Sequence, residues 1–559
     1  MIARAERLLD LGVEPSRILL VSFSRAARDE IIRRWSSIGL SSVATERIAW
    51  TYHSLGLHIL MKERPFEIDE RRPLAGQGLL EKALGAAVRA CRVLSRPEMR
   101  AAISISKRRL IGSQEAATSP EAFSQASTYG VAHASLADGY LAYQRVLRSE
   151  GKLDFDDMVT EAALLLRSAG ALGRWAGRWR HVMVDESQDT SHAQQLLVRL
   201  IASRAESLVW VGDDNQSIYG FSGADPDALA GSVFDRRYSL VRNYRSTEQI
   251  VSVLTAAAVR RVAMTSAVGD GPAIVTACLG TPREEAAFVA RTICECAAPR
   301  TGILVRTNAQ KLEIELALAD AGIRHRSPGL SFHHRPEVRI AMAVVAMTLS
   351  PTAWEFSERA RVNPCPCPGC GSHAHGSRPA YFGLFDSVVR RPWDPRGWRH
   401  EDWIRALVGI GREIDAADLS KEPLLPLLVR TRVLQWAIDG QAPDECSDRL
   451  ETLSRLSDVL LEIGPVKLLA RHREALCHAD RHTPARVELS TIHSAKGREW
   501  PRVFLCGNTE HVLPHRRGDP REERNVRYVG LSRAESLLYV TGYSPHSEFL
   551  LSLHGRRDG

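Results

Sequence analysis

The first residues able to do chemistry are two adjacent carboxylates. In HVMVDESQDT the apolar run His181–Val184 ends in Asp185 and Glu186. An acid pair at the end of a strand can hold Mg²⁺ and orient an attacking water. Phosphoryl transfer needs both: a hard cation with oxygen ligands to neutralise phosphates, and a base or water-positioning group beside it. Taken alone, two acids capping the next helix would be explained as well. The neighbours weigh against that. LVWVGDDNQSIYGFSGAD ends a second apolar run at Gly212 and Asp213 with Gln216 just beyond, and VRNYRSTEQI follows with Tyr244 and Arg245. The tyrosine offers an aromatic face, and the arginine a planar fork that neutralises charge developing on a transferred phosphoryl group.

These residues need a scaffold that brings strand ends together. Short apolar runs recur at RILLVSF, RHVMVDE, SLVWVGD, PAIVTACL, TGILVRT, PRVFLCG and LLYVTGY, most of them followed by a helical pattern. Continuous apolar strands alternating with helices predict parallel sheets covered on both faces, with ligands at the carboxyl ends of the strands. The fold class is therefore α/β. Two stretches with helical periodicity and no such runs, 61–150 and 355–483, read as insertions into two sheet domains. The expected division is 1–60 with 151–240 for the first sheet domain, and 241–354 with 484–559 for the second.

Composition bounds the function. The chain has 559 residues, 44% of them hydrophobic, and a net charge of +8, a mild excess that suits a polyanionic partner. No run of eighteen apolar residues occurs, and Arg4, Glu6 and Arg7 interrupt any signal-peptide core, so no membrane role and a cytoplasmic location are expected. Ten cysteines, three of them bunched at 365–370, do not form a disulfide framework.

The motifs VSFSRAARDE (around Phe23), TYHS (51–54), DFDDM (154–158), VDESQD (184–189), GDDNQSIYGFSGAD (212–225), NYRS (243–246), VRTNAQ (305–310), STIHSAKGREW (490–500) and EERNVRYVGLSRA (522–534) follow one another in a fixed order. In this order the chain resembles superfamily 1 helicases of the UvrD/Rep/PcrA type over nearly its whole length. The resemblance implies two RecA-like parallel-sheet domains, each with a mainly helical insertion, and an ATP-dependent 3′–5′ DNA helicase acting in repair or replication. It implies ATP and Mg²⁺ as cofactors, and single-stranded DNA or a 3′-tailed duplex as partner; a loading partner is not identified. By position, Asp185 resembles the Mg²⁺ ligand, Glu186 the water-activating residue and Gln216 the γ-phosphate sensor. Arg245 and Arg533 resemble the two γ-phosphate arginines, Tyr244 the adenine-stacking ring and Glu499 the ribose contact. Phe23, Tyr219 and Phe221 match base-stacking positions; Thr51, His53, Thr491 and His493 match backbone and sugar contacts. Phe23 also reads as core and His53 as a structural histidine. The best-known family members carry tryptophan at the Phe221 position, so the smaller ring should weaken stacking there.

Two features stand apart. Cys367-Pro-Gly-Cys370 has the form of a zinc knuckle, with Cys365, His373 and His375 available to complete a Zn²⁺ site; a Cys- and Pro-rich loop that binds nothing is the alternative. A helicase of this type also carries a G-x-x-x-x-G-K-[ST] loop before the helix that Met1 to Leu11 resembles, and residues 1–559 contain no such loop. An internal methionine in a longer reading frame, a truncated gene, or a hydrolysis-deficient single-stranded DNA-binding remnant would each explain this. The intact remaining motifs favour the first.

Overall fold

The computed structural model describes residues 1–36, 48–64, 67–69, 71–112, 133–220, 223–224, 234–296, 299–328, single positions and pairs between 332 and 345, 423–430, 443–478, 485–516 and 518–554. They form two compact units, Met1–Ser239 and Leu240–Gly559.

In the first unit β1 (Ile18–Ser22), β2 (Ala49–Thr51), β3 (His181–Val184) and β4 (Ser207–Trp210) form an all-parallel sheet in the order β2-β1-β3-β4. The reason lies in β1, whose five residues are all buried: Leu19 and Val21 pack on one face with Tyr52, Leu55 and Leu197, and Ile18 and Leu20 on the other with Ala5, Leu8 and Met183. Only a strand covered by helices on both sides can be apolar throughout. The covers are α1 (Ile2–Asp10), α2 (Arg25–Ser36) and α3 (Tyr52–Glu63), joined by residues of the later helix His192–Ile201. Register aligns Val21 with Val184 and Val184 with Trp210, so the residues after β1, β3 and β4 emerge at one edge.

Helices α4 (Gln77–Cys91), α5 (Arg96–Arg108) and α6 (His133–Ser149) build a separate core from Leu84, Ala87, Met99, Leu136, Tyr140 and Leu147. Ser95 and Glu98 start α5 with a capping box that satisfies two orphan amides. The following α7 (Asp157–Leu165) returns the chain to the sheet, packing Val159, Ala162 and Ala163 against it.

The second unit holds a two-stranded pair, β5 (Arg242–Asn243) with β6 (Thr265–Ser266), and a six-stranded parallel sheet. Its strands are β7 (Val275–Leu279), β8 (Thr301–Val305), β9 (His325–Arg326), β10 (Val487–Thr491), β11 (Trp500–Leu505) and β12 (Ala534–Tyr543), in the order β7-β12-β11-β8-β10-β9. Ile303, Leu489 and Phe504 form its core with Ala286, Val289 and Leu318. Gly302 has to be glycine, because a Cβ there would lie 2.7 Å from the Trp500 ring. Both sheets are parallel and helix-covered, as two RecA-like domains require. One strand flanked on both sides is not an apolar run. β10 reads VELST, yet all five residues are buried, and Glu488 is tolerated because Arg498 pairs with it.

Candidate nucleotide and nucleic-acid sites

Asp185 and Glu186 follow β3 directly. Glu186 adopts a left-handed conformation with φ of 51°, costly for a residue with a Cβ. The surroundings hold it there. Ser187 N–H donates to the Val211 carbonyl (3.0 Å), and Gln188 Nε2 donates to Glu186 Oε2 (2.6 Å). Gln188 Oε1 accepts from Asp213 N–H (3.1 Å), and Gln216 Nε2 donates to Asp213 Oδ2 (2.9 Å). One chain of amide and carboxylate groups thus joins the β3 and β4 ends and brings Glu186 and Gln216 into one network. Gly212 makes the approach possible, since a Cβ there would lie 2.3 Å from Ser187 Oγ.

Burial, reinforced by the Glu186 carboxylate, raises Asp185 above the usual carboxylate range. A divalent cation would relieve that repulsion, so the donor set fits Mg²⁺, which takes one or two carboxylates and completes its shell with phosphates and water. Among the described residues no group of three or more His, Cys, Asp or Glu could hold a metal by itself. Tyr52, fully buried, has a hydroxyl without a hydrogen-bond partner among the described residues and a pKa raised far by burial, then by Asp185 and Asp189.

Beside this site the aromatic candidates pair. Phe23, half-buried, stacks on Tyr219 with ring centroids 5.8 Å apart. His53 stacks on Phe155 at 3.8 Å, and burial lowers His53 to about 4, so its ring is neutral. Phe155 is 52% exposed. The motif around it is anchored on both sides: Lys107 Nζ reaches Asp154 at 2.6 Å and Asp157 at 2.7 Å, and Arg108 and Ser104 donate to Asp156 at 2.8 and 2.5 Å. Three carboxylates tied to α5 leave one ring facing outward. Thr51 accepts from Ser54 N–H (3.2 Å), capping α3, and Thr491 accepts from Ser494 N–H (3.3 Å), capping the short helix Ile492–Ala495. Both threonine side chains therefore have structural work, and His493 lies half-buried next to the second cap.

In the second unit the charged candidates gather at the amino ends of β11 and β12. Glu499 precedes β11 and Arg533 precedes β12, and Trp500 N–H donates to the Arg533 carbonyl (3.0 Å). Arg245 Nε donates to Glu499 (2.5 Å) and Nη1 to the Ser532 carbonyl (3.2 Å). Arg533 is 2% exposed, its guanidinium donating to the carbonyls of Val529 and Arg498 and to Ser532 Oγ. Tyr244 is 74% exposed, with the Arg242 guanidinium 5.3 Å from its ring centre. The structure thus brings Arg245, Glu499 and Arg533 together around Ser532, with Tyr244 adjoining.

Residues 1–232 match the UvrD/REP helicase N-terminal domain, and residues 238–355 and 437–544 match the UvrD-like helicase C-terminal domain. The chain belongs to the UvrD/Rep helicase family. It is similar to the ATP-dependent DNA helicase UvrD1 of Mycobacterium tuberculosis, 30% identical over 474 residues that cover 73% of this chain and 60% of that protein. It is also similar to the ATP-dependent DNA helicase PcrA of Leuconostoc citreum (26% identity, covering 99% of this chain and 78% of the relative) and of Staphylococcus aureus (26%, 96% and 78%). The chain spans about 60% of the length of the mycobacterial relatives it matches.

Within this helicase-family chain, Phe221 and the proposed zinc ligands Cys365, Cys367, Cys370 and His373 lie outside the described residues. The sequence does not single out Gln188, Tyr52 or Phe155, although each sits inside one of the motifs. Their signal was present as residue type; what was missing was the partner, which is distant in sequence or concealed by burial. No helix among the described residues is long and apolar enough to cross a membrane.

Proposed function

We propose that the chain is an ATP-dependent motor that moves 3′ to 5′ on single-stranded DNA and unwinds 3′-tailed duplexes in repair or replication. The observation that carries this reading is the acid held at the end of β3: Glu186, in a left-handed turn and fixed by Gln188, beside an Asp185 that burial and Glu186 keep high. In this reading Asp185 holds Mg²⁺, which when bound neutralises phosphate charge, and Glu186 takes the proton of the attacking water. Gln216 reports the γ-phosphate; Arg245 and Arg533 neutralise charge on it; Tyr244 stacks on adenine, and Glu499 contacts the ribose. Support for the last group is their clustering around Ser532. Segments 1–60 and 151–240 would form the first motor domain, with 61–150 inserted; 241–354 and 484–559 would form the second, with 355–483 inserted.

DNA would stack on the paired rings Phe23–Tyr219 and His53–Phe155, and by the family resemblance Phe221, Thr51, Thr491 and His493 would also contact it. Stacking suits a translocase because every base offers a π-face, so contact does not depend on sequence. The deciding assay is ATP turnover with and without single-stranded DNA, together with strand displacement on 3′- and 5′-tailed duplexes. DNA-stimulated turnover and displacement from the 3′ tail alone are expected of a chain that carries the phosphate loop.

A second reading is a single-stranded DNA binder without hydrolysis; residues 1–559 themselves contain no G-x-x-x-x-G-K-[ST] loop. Positioning dominates phosphoryl-transfer catalysis, so these residues alone are expected to turn ATP over slowly. Turnover that stays absent after a phosphate loop is placed ahead of Met1 would establish the second reading.

A further inference from the structure

A cavity of about 310 Å³ opens in the second unit, away from Tyr244, Arg245, Glu499 and Arg533. Its wall is the last turn of the helix Glu248–Ala257 and the residues after it, including Ala257 and Val259; its charged lining is Arg261, Arg524 and Arg527, and Phe549 closes it. Arg524 and Arg527 stand one turn apart on the helix Pro520–Leu531, so their side chains share a face. Among the described residues no aspartate or glutamate lines the cavity.

Arg527 is the decisive residue. Its Nη2 donates to the Leu513 carbonyl (2.8 Å), and its guanidinium lies 4.6 Å from the centre of the Phe549 ring, so the group is held in one orientation. Its Nε is buried with no hydrogen-bond partner among the described residues. Nearby acids do not supply one. Glu523 is committed to Arg306, whose Nη2 donates to it at 2.6 Å, and to the His515 N–H at 2.8 Å. Burial pushes Arg527 down to about 10, although Glu523 and Glu510 act the other way. The carbonyl end of the wall helix contributes about half a negative charge, too little to balance three guanidinium groups.

An oriented guanidinium in a cavity lined by two more arginines and, among the described residues, by no acid is built for an anion with several acceptor oxygens. Arginine forks match phosphate in this way, and the cavity is at the small end of the range for ligand sites. We propose that this cavity is a phosphate pocket that takes a phosphomonoester about the size of a mononucleotide, with its phosphate among Arg261, Arg524 and Arg527 and its organic part against the Ala257–Val259 wall. The pocket is separate from the motor residues and does not rest on the functional reading given above.

Isothermal titration of the 559-residue chain at low ionic strength with inorganic phosphate, adenosine 5′-monophosphate and adenosine tests this. The monophosphate should bind, phosphate should bind more weakly, and adenosine should not bind. Arg261→Ser with Arg524→Ser should weaken monophosphate binding at least about tenfold, since charge-assisted contacts are the strong ones. Arg245→Ala should leave it unchanged. Both serine substitutions are at exposed residues; should the double variant fail to fold, Arg261→Ser alone should still weaken binding. Undiminished binding by a folded variant, loss of binding in Arg245→Ala, or no binding by the parent would each overturn the proposal. Equal affinity for phosphate and the monophosphate would overturn the role given to the wall.

Discussion

The two parallel sheets place their charged residues at opposite ends. In Met1–Ser239 the acids Asp185 and Glu186 follow β3, at the carboxyl end, whereas in Leu240–Gly559 Glu499 and Arg533 precede β11 and β12, at the amino end. The acids sit where parallel sheets commonly present ligand-binding residues. The arginines do not. They are also held differently: Glu186 is fixed by a neutral amide, Gln188, that leaves its charge intact, while Arg245 is paired with Glu499 and Arg533 spends its donors on carbonyls and a hydroxyl. The first site keeps its charge available, and the second keeps it compensated until something displaces the partners.

The largest expected effect tests that difference directly. In a chain carrying a phosphate loop, Glu186→Gln should lower ATP turnover by roughly 10²–10⁴-fold, the usual worth of a positioned base, while leaving nucleotide affinity intact. Arg245→Ala in the same chain should lower both. Turnover and fluorescent-nucleotide binding measured side by side would check this, and equal effects on affinity from the two substitutions would erase the distinction.

Next comes the anchor of the first unit. Burial opposes the Lys107 ammonium, but Asp157 and Asp154 outweigh it and hold its pKa above the ordinary value. Lys107→Met strands two buried carboxylates and should destabilise Met1–Ser239 by about 3–5 kcal/mol, read from urea unfolding. The second unit should be unaffected.

A contrasting effect is expected there. Burial pushes Glu285 up to about 7, against the hydrogen bonds it accepts from Gly507 N–H and Thr541 Oγ1; Glu313 adds to the rise and Arg455 opposes it. A folded-state pKa above the unfolded one means the carboxyl holds its proton longer when folded. Its stabilising contribution is complete below about pH 4.5 and is lost as pH rises towards 7. Glu285→Gln keeps an acceptor for both donors and should flatten that slope, leaving Leu240–Gly559 more stable at pH 8 by up to about 3 kcal/mol. Thermal melts of parent and variant at pH 5 and pH 8 would show it; an unchanged slope would remove Glu285 as the cause.

The smallest effect concerns Phe155. Phe155→Ala should weaken binding to a single-stranded oligonucleotide by about 1–3 kcal/mol at fixed salt, the worth of one stacked base, with thermal stability little changed because the ring is half exposed. An equal loss from Phe549→Ala, in the second unit, would mean that oligonucleotide affinity does not single out the rings of the first.

Much of the first site was legible in the sequence because its parts are local. RHVMVDE contains both a buried strand and the acids that follow it, so residue order alone puts the carboxylates at a strand end. Gln216 was legible for the same reason. The strand VELST was not, because Glu, Ser and Thr hide a buried strand from any search for apolar runs, and its burial depends on Arg498 reaching Glu488. Phe155 is not legible in the sequence, because a phenylalanine among three aspartates is unremarkable until Lys107, Arg108 and Ser104, all from α5, take up the acids and leave the ring outside.

Sequence alone determined the fold class, the order of the motifs and the identity of the charged groups, because strand burial and strand-end chemistry are written within a few consecutive residues. Tertiary structure decided which charges stay available and which are compensated. That outcome depends on contacts such as Arg245 with Glu499, 254 residues apart, and Lys107 with Asp154, 47 apart. Electrostatic energy depends on distance and burial, and neither is set until the chain has folded.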